Sequence, residues 1–529
     1  MTKLLHELLQ DTVLKYPHAE AVSDRQHALT YAELWDKVQH AARAFSAWGL
    51  KRGDRLGIYL EKRTEFVVAM FGAVAAGCVF VPINPVLKPR QVGYILRDCN
   101  IRILVTSDQR AADLRGESAQ SPDLAMIVLV DDGGNARAED VPKAVRWDQL
   151  TASPPLAKFA RVIDIDMAGI LYTSGSTGNP KGVVLSHRNL VAGARSVSAY
   201  LENTTEDRIL SVLPLSFDAG LSQVTTAFAV GAKVILLNYL LARDVIRACA
   251  DEGVTGITGV PPLWIQLAGQ RWPEAASRSV RYFANTGGHM PKPVLDRLRS
   301  AMPRAKPYLM YGLTEAFRST YLDPSEVDRR PDSIGKAIPN SEILVVRPDG
   351  TPCNPGEPGE LVHRGALVSM GYWNDPQRTA ERFRPLPGSS GALSLPEMAV
   401  WSGDIVRRDD DGFLYFVGRR DDMIKTSGYR VSPTEIEEVI YRTGMVGATA
   451  AFGVPHPMLG QGIVAVATPP AGSTLDIAAL MAECRRNLPQ YMVPSLIVEK
   501  PVLPSGPNGK IDRKTLAEEF RDLFAATDP

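Results

Sequence analysis

The stretch Leu171-Tyr-Thr-Ser-Gly-Ser-Thr-Gly-Asn-Pro-Lys-Gly182 decides the fold of the central part of this chain. It contains three glycines, four Ser or Thr hydroxyls and one lysine. Apolar residues precede it at 168–172 and follow it at 182–186, which predicts a strand on each side of a polar loop. Glycines let backbone N–H groups close around an anion, hydroxyls donate to phosphate oxygens, and Lys181 adds positive charge. The stretch therefore predicts a polyphosphate-binding loop.

This loop differs from a Walker A motif, which has the pattern Gly-x-x-x-x-Gly-Lys-Ser/Thr at the start of a helix. Here Lys181 is followed by Gly182 and two valines. The alternative interpretation is a Ser- and Gly-rich surface linker, but such linkers rarely lie between two strand-like apolar segments. The pattern therefore favours a phosphate loop of another kind.

The length and composition are those of a multidomain globular protein. A chain of 529 residues is too long for one hydrophobic core, so two or more domains are expected. Hydrophobic residues make up 45% and charged residues 22%, which is ordinary for globular proteins. Lys+Arg and Asp+Glu both number 59, so bulk charge favours neither a nucleic-acid partner nor an anionic membrane.

The cysteines and the N-terminus suggest a reducing compartment. The five cysteines are widely scattered, with no CxxC pair, and are expected to be free thiols: Cys78, Cys99, Cys249, Cys353 and Cys484. The first residues lack the apolar core of a signal peptide, and no apolar run reaches the ~18 residues of a membrane span. We therefore expect a cytoplasmic protein.

Helical and β-branched segments alternate along the first 340 residues. Strands separated by helices imply parallel sheets covered on both faces. The alternation resumes after residue 168, so two similar α/β layers are expected, at about 1–165 and 166–340. From 341 to 417 the strands become short and the turns dense, which predicts a small β-barrel.

The charged run Gly418-Arg-Arg-Asp-Asp422 separates the N-terminal core, residues 1–417, from a C-terminal piece. Residues 423–529 contain their own helical and strand-like segments and are expected to form a smaller, mobile α+β lid domain. The predicted fold class is therefore α/β. A large N-terminal domain of two α/β layers plus a small β-barrel precedes the lid.

The loop resembles the signature loop of the adenylate-forming superfamily, which comprises acyl-CoA synthetases, luciferases and the adenylation domains of peptide synthetases. In that family the loop grips the β- and γ-phosphates of ATP. Further motifs follow in the family's order between residues 171 and 513, so the resemblance covers essentially the whole chain. It implies nucleotide binding by Thr173, Ser174, Gly175, Ser176, Thr177, Gly178 and Lys181.

Tyr311-Gly-Leu-Thr-Glu315 resembles the family's second nucleotide motif, which adds Tyr311 and Gly312 to the nucleotide-binding residues. By this resemblance Thr314 contacts the α-phosphate and Glu315 holds Mg²⁺. One carboxylate suits Mg²⁺, which takes few protein ligands and shares the phosphates. Alone, such a short motif is more typical of a turn and a helix cap. The upstream loop favours the nucleotide role.

Trp401-Ser-Gly-Asp404 resembles the family's ribose motif, in which Asp404 accepts hydrogen bonds from the 2′- and 3′-hydroxyls. Gly418-Arg419 matches the next motif, and Arg419 is expected to reach ribose or phosphate. Asp421 falls at the hinge position, where a residue must tolerate a large change in φ and ψ. A bare run of such charges is more often solvated surface.

Two lid segments complete the resemblance. Lys425-Thr-Ser-Gly-Tyr-Arg430 resembles the stretch that faces the thiol donor after the lid turns, which implicates Lys425, Gly428 and Arg430. In Pro507-Asn-Gly-Lys-Ile-Asp-Arg513, Lys510 matches the catalytic lysine. A lysine between carboxylate and α-phosphate stabilises charge that spreads over the transferring group. The alternative for Lys510 is an ordinary turn lysine.

The resemblance implies a ligase that acts in two half-reactions. A carboxylate attacks the α-phosphate of ATP, which gives an acyl-adenylate and pyrophosphate, and a thiol then displaces AMP. The implied cofactors are ATP, Mg²⁺, and coenzyme A or phosphopantetheine as the thiol acceptor. The expected partners are a small carboxylic or amino acid and an acyl or peptidyl carrier protein. The task of the protein is positioning and charge neutralisation.

Asp218 bears on the class of acid. Many fatty-acyl ligases carry a histidine in the region of Leu213-Pro-Leu-Ser-Phe-Asp-Ala-Gly220, whereas this chain has Phe217-Asp218. That resembles amino-acid-activating domains, whose aspartate binds the substrate ammonium. A carboxylate in an acyl pocket is costly unless a cation pairs with it. The alternative is that Asp218 caps a helix that starts at Ala219.

The pocket positions transferred from those domains are Phe217, Asp218, Ala219, Ser222, Leu263, Ala284, Thr286, Met310, Arg318 and Ser319. Arg318 is unusual for a fatty-acid pocket. It could pair with a second carboxylate on the substrate, or with Asp218 itself.

The run from Tyr311 to Thr320 also resembles ligases encoded with exosortase-type surface-polymer systems, which work with a carrier protein and a pyridoxal-phosphate decarboxylase.

Two other hypotheses about the function stay open. One is a plain acyl-CoA synthetase for a small or medium-chain fatty or aryl acid. The other is a non-catalytic nucleotide-binding protein, whose mark would be the loss of Lys510, Glu315 or Lys181; all are present.

Overall fold

The computed structural model describes residues 2–131, 143–152, 154, 159–173, 180–387, 396–420, 422–426, 429–456, 459–488, 490–506 and 509–524, with the backbone alone at 151–152, 425 and 429–430. The helices are α1 (Leu5–Val13), α2 (Tyr31–Ala47), α3 (Thr64–Ala75), α4 (Pro89–Asp98), α5 (Asp108–Asp113), α6 (Arg115–Ala119), α7 (Asp148–Ala152), α8 (His187–Tyr200), α9 (Asp218–Val230), α10 (Ala242–Glu252), α11 (Pro261–Ala268), α12 (Glu274–Ser279), α13 (Lys292–Ala301), α14 (Pro376–Arg382), α15 (Pro433–Arg442), α16 (Ile477–Asn487) and α17 (Arg513–Glu519).

The strands are β1 (Glu20–Ser23), β2 (Ala28–Thr30), β3 (Arg55–Tyr59), β4 (Val79–Pro82), β5 (Ile101–Ser107), β6 (Met126–Val130), β7 (Ala144–Arg146), β8 (Met167–Thr173), β9 (Lys181–Ser186), β10 (Arg208–Ser211), β11 (Lys233–Leu236), β12 (Gly256–Gly259), β13 (Tyr282–Asn285), β14 (Lys306–Tyr311), β15 (Thr320–Leu322), β16 (Ser333–Ala337), β17 (Ser341–Val346), β18 (Gly359–Gly365), β19 (Phe383–Pro385), β20 (Met398–Arg408), β21 (Leu414–Arg419), β22 (Ile424–Thr426), β23 (Tyr429–Val431), β24 (Ala448–His456), β25 (Gly460–Thr468) and β26 (Leu496–Glu499).

The first sheet has seven strands in the order β7-β6-β5-β3-β4-β8-β9. Its pairs are parallel except for the last, β8 with β9, which form an antiparallel hairpin. This hairpin is the predicted strand–loop–strand unit. Helix α3 is buried along its length, as its almost uninterrupted apolar sequence requires.

The second sheet has fourteen strands, and its central part, β1-β11-β10-β12-β13-β14, is parallel. Beyond β14 the strands β15, β16, β21, β20, β18 and β17 pair antiparallel. Strands β17, β18, β20 and β21 lie in the region where dense turns predicted a small barrel, and there they continue the second sheet. The carboxyl ends of the parallel strands meet at one edge, where ligands bind in open α/β sheets.

Each of the two large sheets contains strands from both sides of the predicted boundary near residue 165. Strands β1 and β2 belong to the second sheet, whereas β8 and β9 belong to the first. The predicted division at 165 therefore does not coincide with the division between the sheets. Alternation along the chain identifies strands, but pairing is decided by contacts between distant segments.

The C-terminal residues form a separate five-stranded sheet, β23-β22-β25-β24 with β26 beside β25. Helices α15 and α16 cover it and share a hydrophobic core of their own. The predicted fold class, a large α/β body followed by a smaller lid, is confirmed. Among the described residues, no helix combines the length and the apolar character that a membrane span needs. All five cysteines are free and buried.

Candidate active site

The β8–β9 hairpin presents the polar loop at the edge of the first sheet. Thr173 pairs with Lys181 at the point where the loop begins and ends. The predicted phosphate-binding residues between them, Ser174, Gly175, Ser176, Thr177 and Gly178, lie outside the described residues. The Thr173 hydroxyl is buried and has no hydrogen-bond partner among the described residues. A buried orphan hydroxyl beside this loop fits a role for Thr173 in binding an anion.

Lys181 reaches from this hairpin to Glu315, which lies 134 residues further along the chain. Lys181 Nζ donates to Glu315 Oε1 at 2.8 Å and to the Tyr372 hydroxyl at 2.7 Å. The Tyr372 hydroxyl in turn donates to Glu315 Oε1 at 2.6 Å. Lys181 Nζ also lies 4.3 Å from the centre of the Tyr372 ring. Lys181, the predicted phosphate-binding lysine, and Glu315, the predicted Mg²⁺ ligand, are therefore in direct contact.

The electrostatics keep Glu315 ionised. Burial alone would raise its pKa, but the charge of Lys181 and the hydrogen bonds from Lys181 and Tyr372 outweigh burial and lower the pKa. Both of these hydrogen bonds are accepted by the same oxygen, Oε1. A single ionised carboxylate beside a phosphate loop fits Mg²⁺, a hard cation that prefers oxygen ligands and shares phosphate oxygens.

Tyr372 is a site residue that sequence reasoning missed. It forms an isolated antiparallel bridge with Val183 of β9, which holds its hydroxyl beside Lys181. No local pattern in the sequence marks it, because its role depends on a contact across 191 residues.

Asp404 and Arg419 form a second cluster with Tyr311. Asp404 in β20 faces Arg419 in β21 directly, and Arg419 Nε donates to Asp404 Oδ1 at 3.0 Å. The Tyr311 hydroxyl, at the end of β14, donates to Asp404 Oδ2. Burial and the neighbouring Asp404 charge raise the pKa of Tyr311. Asp404, Arg419 and Tyr311 are therefore brought together as predicted.

The second motif connects these two clusters, because Tyr311 belongs to one and Glu315 to the other. Gly312 follows β14 directly, and Thr314 and Glu315 open a 3₁₀ turn at Thr314–Ala316. The backbone N–H of Ser369 donates to the Glu315 carbonyl at 2.9 Å. This bond fixes the turn against the segment that carries Tyr372.

Lys510 extends from the lid into the body of the protein. A Cβ at Gly287, just beyond the carboxyl end of β13, would lie 3.2 Å from Lys510 Cε. Burial and the charge of Arg419 lower the pKa of Lys510, whereas Asp218 and Asp404 act in the opposite direction. Lys510 is thus in the electrostatic field of both Asp404, in the predicted ribose motif, and Asp218, in the predicted acid pocket. A turn lysine on the free surface of the lid would not lie against Gly287 of the body.

The structure describes the other predicted lid residues only in part. Asp421 and Gly428 lie outside the described residues. Lys425 and Arg430 are paired with each other across β22 and β23, and only their backbone is described. Their assignment to the thiol-donor face stays a prediction.

A small cavity of about 10 Å³ lies at the predicted acid pocket. Predicted pocket residues Ala219, Ser222, Met310 and Arg318 line it. Sequence reasoning missed the rest of the lining, namely Val197, Leu201, Ile209, Gln223, Thr226, Thr258 and Tyr282. Gln223 and Thr226 share helix α9 with Ser222, so helical spacing from the predicted residues was the available signal.

Asp218 and Arg318 form an ion pair at this pocket, with Oδ2 and Nη1 3.7 Å apart. The side chain of Arg318 is 4% exposed and that of Asp218 is 17% exposed. Asp218 is the first residue of α9, whose N-cap is Phe217, and this helix start has no side-chain capping bond. The helix-cap alternative for Asp218 is therefore wrong, because the helix starts one residue earlier than that alternative requires.

Asp218, Ser319 and four other predicted pocket residues are not among the residues that line the cavity. Leu263 in α11 and Ala284 in β13 are buried in the hydrophobic cores, Phe217 precedes α9, and Thr286 follows β13. The backbone N–H of Thr286 donates to the Gly259 carbonyl at 3.0 Å.

Ser319 has a hydrogen-bond partner that is not part of the cavity wall. Its hydroxyl is hydrogen-bonded to Nδ1 of buried His363 in β18 at 2.9 Å. The assignment of Ser319 to the pocket stays a prediction.

Comparisons with known proteins agree with this geometry. Residues 9–373 match the family model described as AMP-binding enzyme, and residues 435–510 match the model described as AMP-binding enzyme C-terminal domain. The chain is similar to feruloyl-CoA synthase from Amycolatopsis sp, with 31% identity over 95% of this chain and 96% of that protein. It is 28% identical to one of the linear gramicidin synthase proteins of Brevibacillus parabrevis, over 97% of this chain but 6% of that protein. The structure of ATP-bound MatB from Rhodopseudomonas palustris is also similar, with 25% identity, a TM-score of 0.87, and coverage of 99% of this chain and 100% of that chain.

Proposed function

The chain belongs to the family of AMP-binding enzymes and is an adenylate-forming acid–thiol ligase, and we propose that the acid it activates is a small amino acid. The reaction class is that of the family: ATP converts a carboxylic acid into an acyl-adenylate, and the acyl group then passes to a thiol. The proposal concerns the substrate, the thiol acceptor and the roles of individual residues.

We assign the first half-reaction to three groups of residues. The loop that ends at Lys181 binds the β- and γ-phosphates. Asp404, with Tyr311 and Arg419, binds the ribose. Lys510 lies beside the attacking carboxylate and the α-phosphate, where its ammonium group neutralises charge that develops on the α-phosphoryl group. Burial lowers the pKa of Lys510, and an incoming carboxylate and phosphate favour its charged form again.

The chemistry that Mg²⁺ would supply at this site is neutralisation of the charge on the phosphates. Glu315 is the residue that would hold the ion, since its carboxylate stays ionised and lies beside the phosphate lysine. Tyr372 orients Glu315 by a hydrogen bond and contacts Lys181 at the same time.

We assign the second half-reaction to a turned lid. Lys510 is in the body in the present arrangement, which suits adenylate formation. Rotation about the hinge at 418–422, with Asp421 as the pivot, would bring Lys425, Gly428 and Arg430 toward the thiol. The thiol is that of coenzyme A or of a phosphopantetheine on a carrier protein.

One observation carries the amino-acid proposal: Asp218 is a part-buried carboxylate at the acid pocket, in the field of Lys510. A carboxylate in such a place is costly unless a cation pairs closely with it. Arg318 approaches only to 3.7 Å and makes no hydrogen bond to it among the described residues. A substrate ammonium on Asp218 would supply that bond and leave the substrate carboxylate to Lys510.

The test is ATP–pyrophosphate exchange with amino acids and the matching deaminated acids. We expect each preferred amino acid to exceed its deaminated counterpart by about 10- to 150-fold, from a charge-assisted bond of roughly 1.5–3 kcal/mol. Asp218→Ala should erase most of that preference. Asp328→Ala, which removes a surface ion pair with Arg299, is the control and should leave the ranking unchanged. Better exchange with deaminated acids, unaltered by Asp218→Ala, would refute the ammonium role.

A second candidate is a plain acyl-CoA synthetase. The observation that favours it is the same ion pair, because Arg318 already neutralises Asp218 when no ammonium is bound. Under this candidate a fatty or aryl acid gives the best exchange, and free coenzyme A completes the reaction without a carrier protein.

A further inference from the structure

Arg318 is a buried cation without a close partner in the described part of the chain. Its side chain is 4% exposed, and its nearest carboxylate, on Asp218, is 3.7 Å away. Its Nε is buried and has no hydrogen-bond partner among the described residues. Charge-assisted N–H···O bonds to carboxylates are normally about 2.7–2.9 Å long. The guanidinium is thus held at the cavity with much of its hydrogen-bonding capacity unused.

The backbone holds Arg318 in place at some cost. The preceding residue, Phe317, has a φ of 53°, which is unfavourable for a bulky side chain. Phe317 is fully buried and packs so closely on α8 that a Cβ at Gly193 would lie 2.4 Å from its ring. This tight packing fixes the turn between β14 and β15, and the turn directs Arg318 to the cavity.

The wall of the cavity carries three further polar side chains, Ser222, Gln223 and Thr226, beside its apolar residues. Ser222 and Thr226 place hydroxyls 3.4 Å apart on its wall. Gln223 donates through Nε2 to the Leu210 carbonyl, while its Oε1 has no hydrogen-bond partner among the described residues. An aliphatic chain in this space would leave these groups and Arg318 unpaired, which is costly.

We propose that Arg318 binds a second carboxylate of the acid, so that the substrate is a short amino dicarboxylic acid. This inference rests on the proposed function. One carboxylate is adenylated beside Lys510, the ammonium lies on Asp218, and the distal carboxylate lies on the guanidinium of Arg318. The planar fork of arginine matches a carboxylate with two parallel hydrogen bonds. Two cations and one anion of the protein then face two anions and one cation of the substrate.

The experiment is pyrophosphate exchange by the full-length protein with a matched set of acids. The set comprises aspartate and glutamate, their side-chain amides asparagine and glutamine, the deaminated diacids succinate and glutarate, and the monoacid butyrate. We expect aspartate or glutamate to exceed its amide by about 10- to 150-fold in kcat/KM, the effect of losing one charge-assisted bond. The amides keep the shape of the acids and remove only the distal charge.

The outcomes separate this inference from the proposed function. A neutral amino acid as the best substrate overturns the anion site and leaves the amino-acid proposal standing. Diacids that exceed their amino counterparts support the anion site and refute the ammonium role of Asp218. Butyrate as the best substrate refutes both.

Variants test Arg318 directly. Arg318→Gln should bring the acid-to-amide ratio close to one, and Arg318→Lys, which keeps the charge but not the fork, should give an intermediate ratio. Because Arg318 is buried, a thermal melt must show that each variant is folded; if neither folds, the wild-type acid-to-amide ratio decides the question. Arg299→Gln removes an arginine that pairs with Asp328 on the surface and should leave the ratio unchanged. An unchanged ratio in folded Arg318→Gln overturns the proposal.

Discussion

The hydroxyl of Tyr372 provides the sharpest test of the nucleotide site, because its removal changes one atom. Tyr372→Phe keeps the ring, and with it the contact of Lys181 Nζ 4.3 Å from the ring centre. It removes the 2.6 Å bond to Glu315 Oε1 and the 2.7 Å bond from Lys181. The direct Lys181–Glu315 contact at 2.8 Å remains.

The expected decrease in the rate of adenylate formation follows from the hydrogen bond that Tyr372→Phe removes. A hydrogen bond to a charged group contributes about 1.5–3 kcal/mol. Since the direct ion pair survives, we count one such bond, which corresponds to about a 10- to 150-fold loss in the rate of adenylate formation.

The variant should also change the pH profile. The pKa of Glu315 is lowered by Lys181 and by the Tyr372 hydroxyl, against the effect of burial. Removal of the hydroxyl raises that pKa. As the pH falls, the variant therefore loses its ionised Glu315, and with it activity, at a higher pH than the wild type.

The assay compares the two half-reactions. Pyrophosphate exchange should slow, whereas thioester formation from preformed acyl-adenylate should not change, because pyrophosphate has left by then. Tyr415→Phe is the matched control, since it removes a 3.0 Å hydroxyl–carboxylate bond to Asp409 outside the nucleotide site. An equal loss of rate in both half-reactions would show that Tyr372 has only a structural role. The same conclusion would follow if the acidic limb of the pH–activity profile did not move.

Two further variants test the predicted catalytic groups. Lys510→Ala should reduce adenylate formation by roughly 10²–10³-fold while ATP still binds. Lys500→Ala, on the same domain, is the control. Wild-type rates of pyrophosphate exchange in Lys510→Ala would contradict the assignment. Glu315→Gln should raise the Mg²⁺ concentration needed for half-maximal exchange, at least about tenfold, because a neutral amide is a poor Mg²⁺ ligand; a magnesium titration that does not shift would make Glu315 structural.

Much of the fold could be predicted because its signals are local. Apolar runs at 168–172 and 182–186 predicted the hairpin, which the structure places at Met167–Thr173 and Lys181–Ser186. Alternating helices and strands predicted parallel sheets. The shorter strands and denser turns after residue 340 predicted the antiparallel strands of that region. Each of these signals depends on hydrophobic periodicity and turn residues within a short window.

The site could be predicted only in part. Motif resemblance identified Lys181, Glu315, Asp404, Arg419 and Lys510, and the structure brings these residues into two clusters and a lid contact. The same transfer included Leu263 and Ala284, which lie in the hydrophobic cores and do not line the cavity, because a motif does not say which side chains face a cavity. Most of the cavity wall was missed, since its members come from several distant elements.

The sequence by itself determined the order of the elements, the phosphate loop between two strands and the residue types needed for adenylate chemistry. Only the tertiary structure decided which of these residues touch. It joined Lys181 to Tyr372 across 191 residues, set Arg318 against Asp218, and moved β1 and β2 into the second sheet. The physical reason is that secondary structure follows from local periodicity, whereas a contact between distant side chains exists only after the sheets pack and the lid closes on the body.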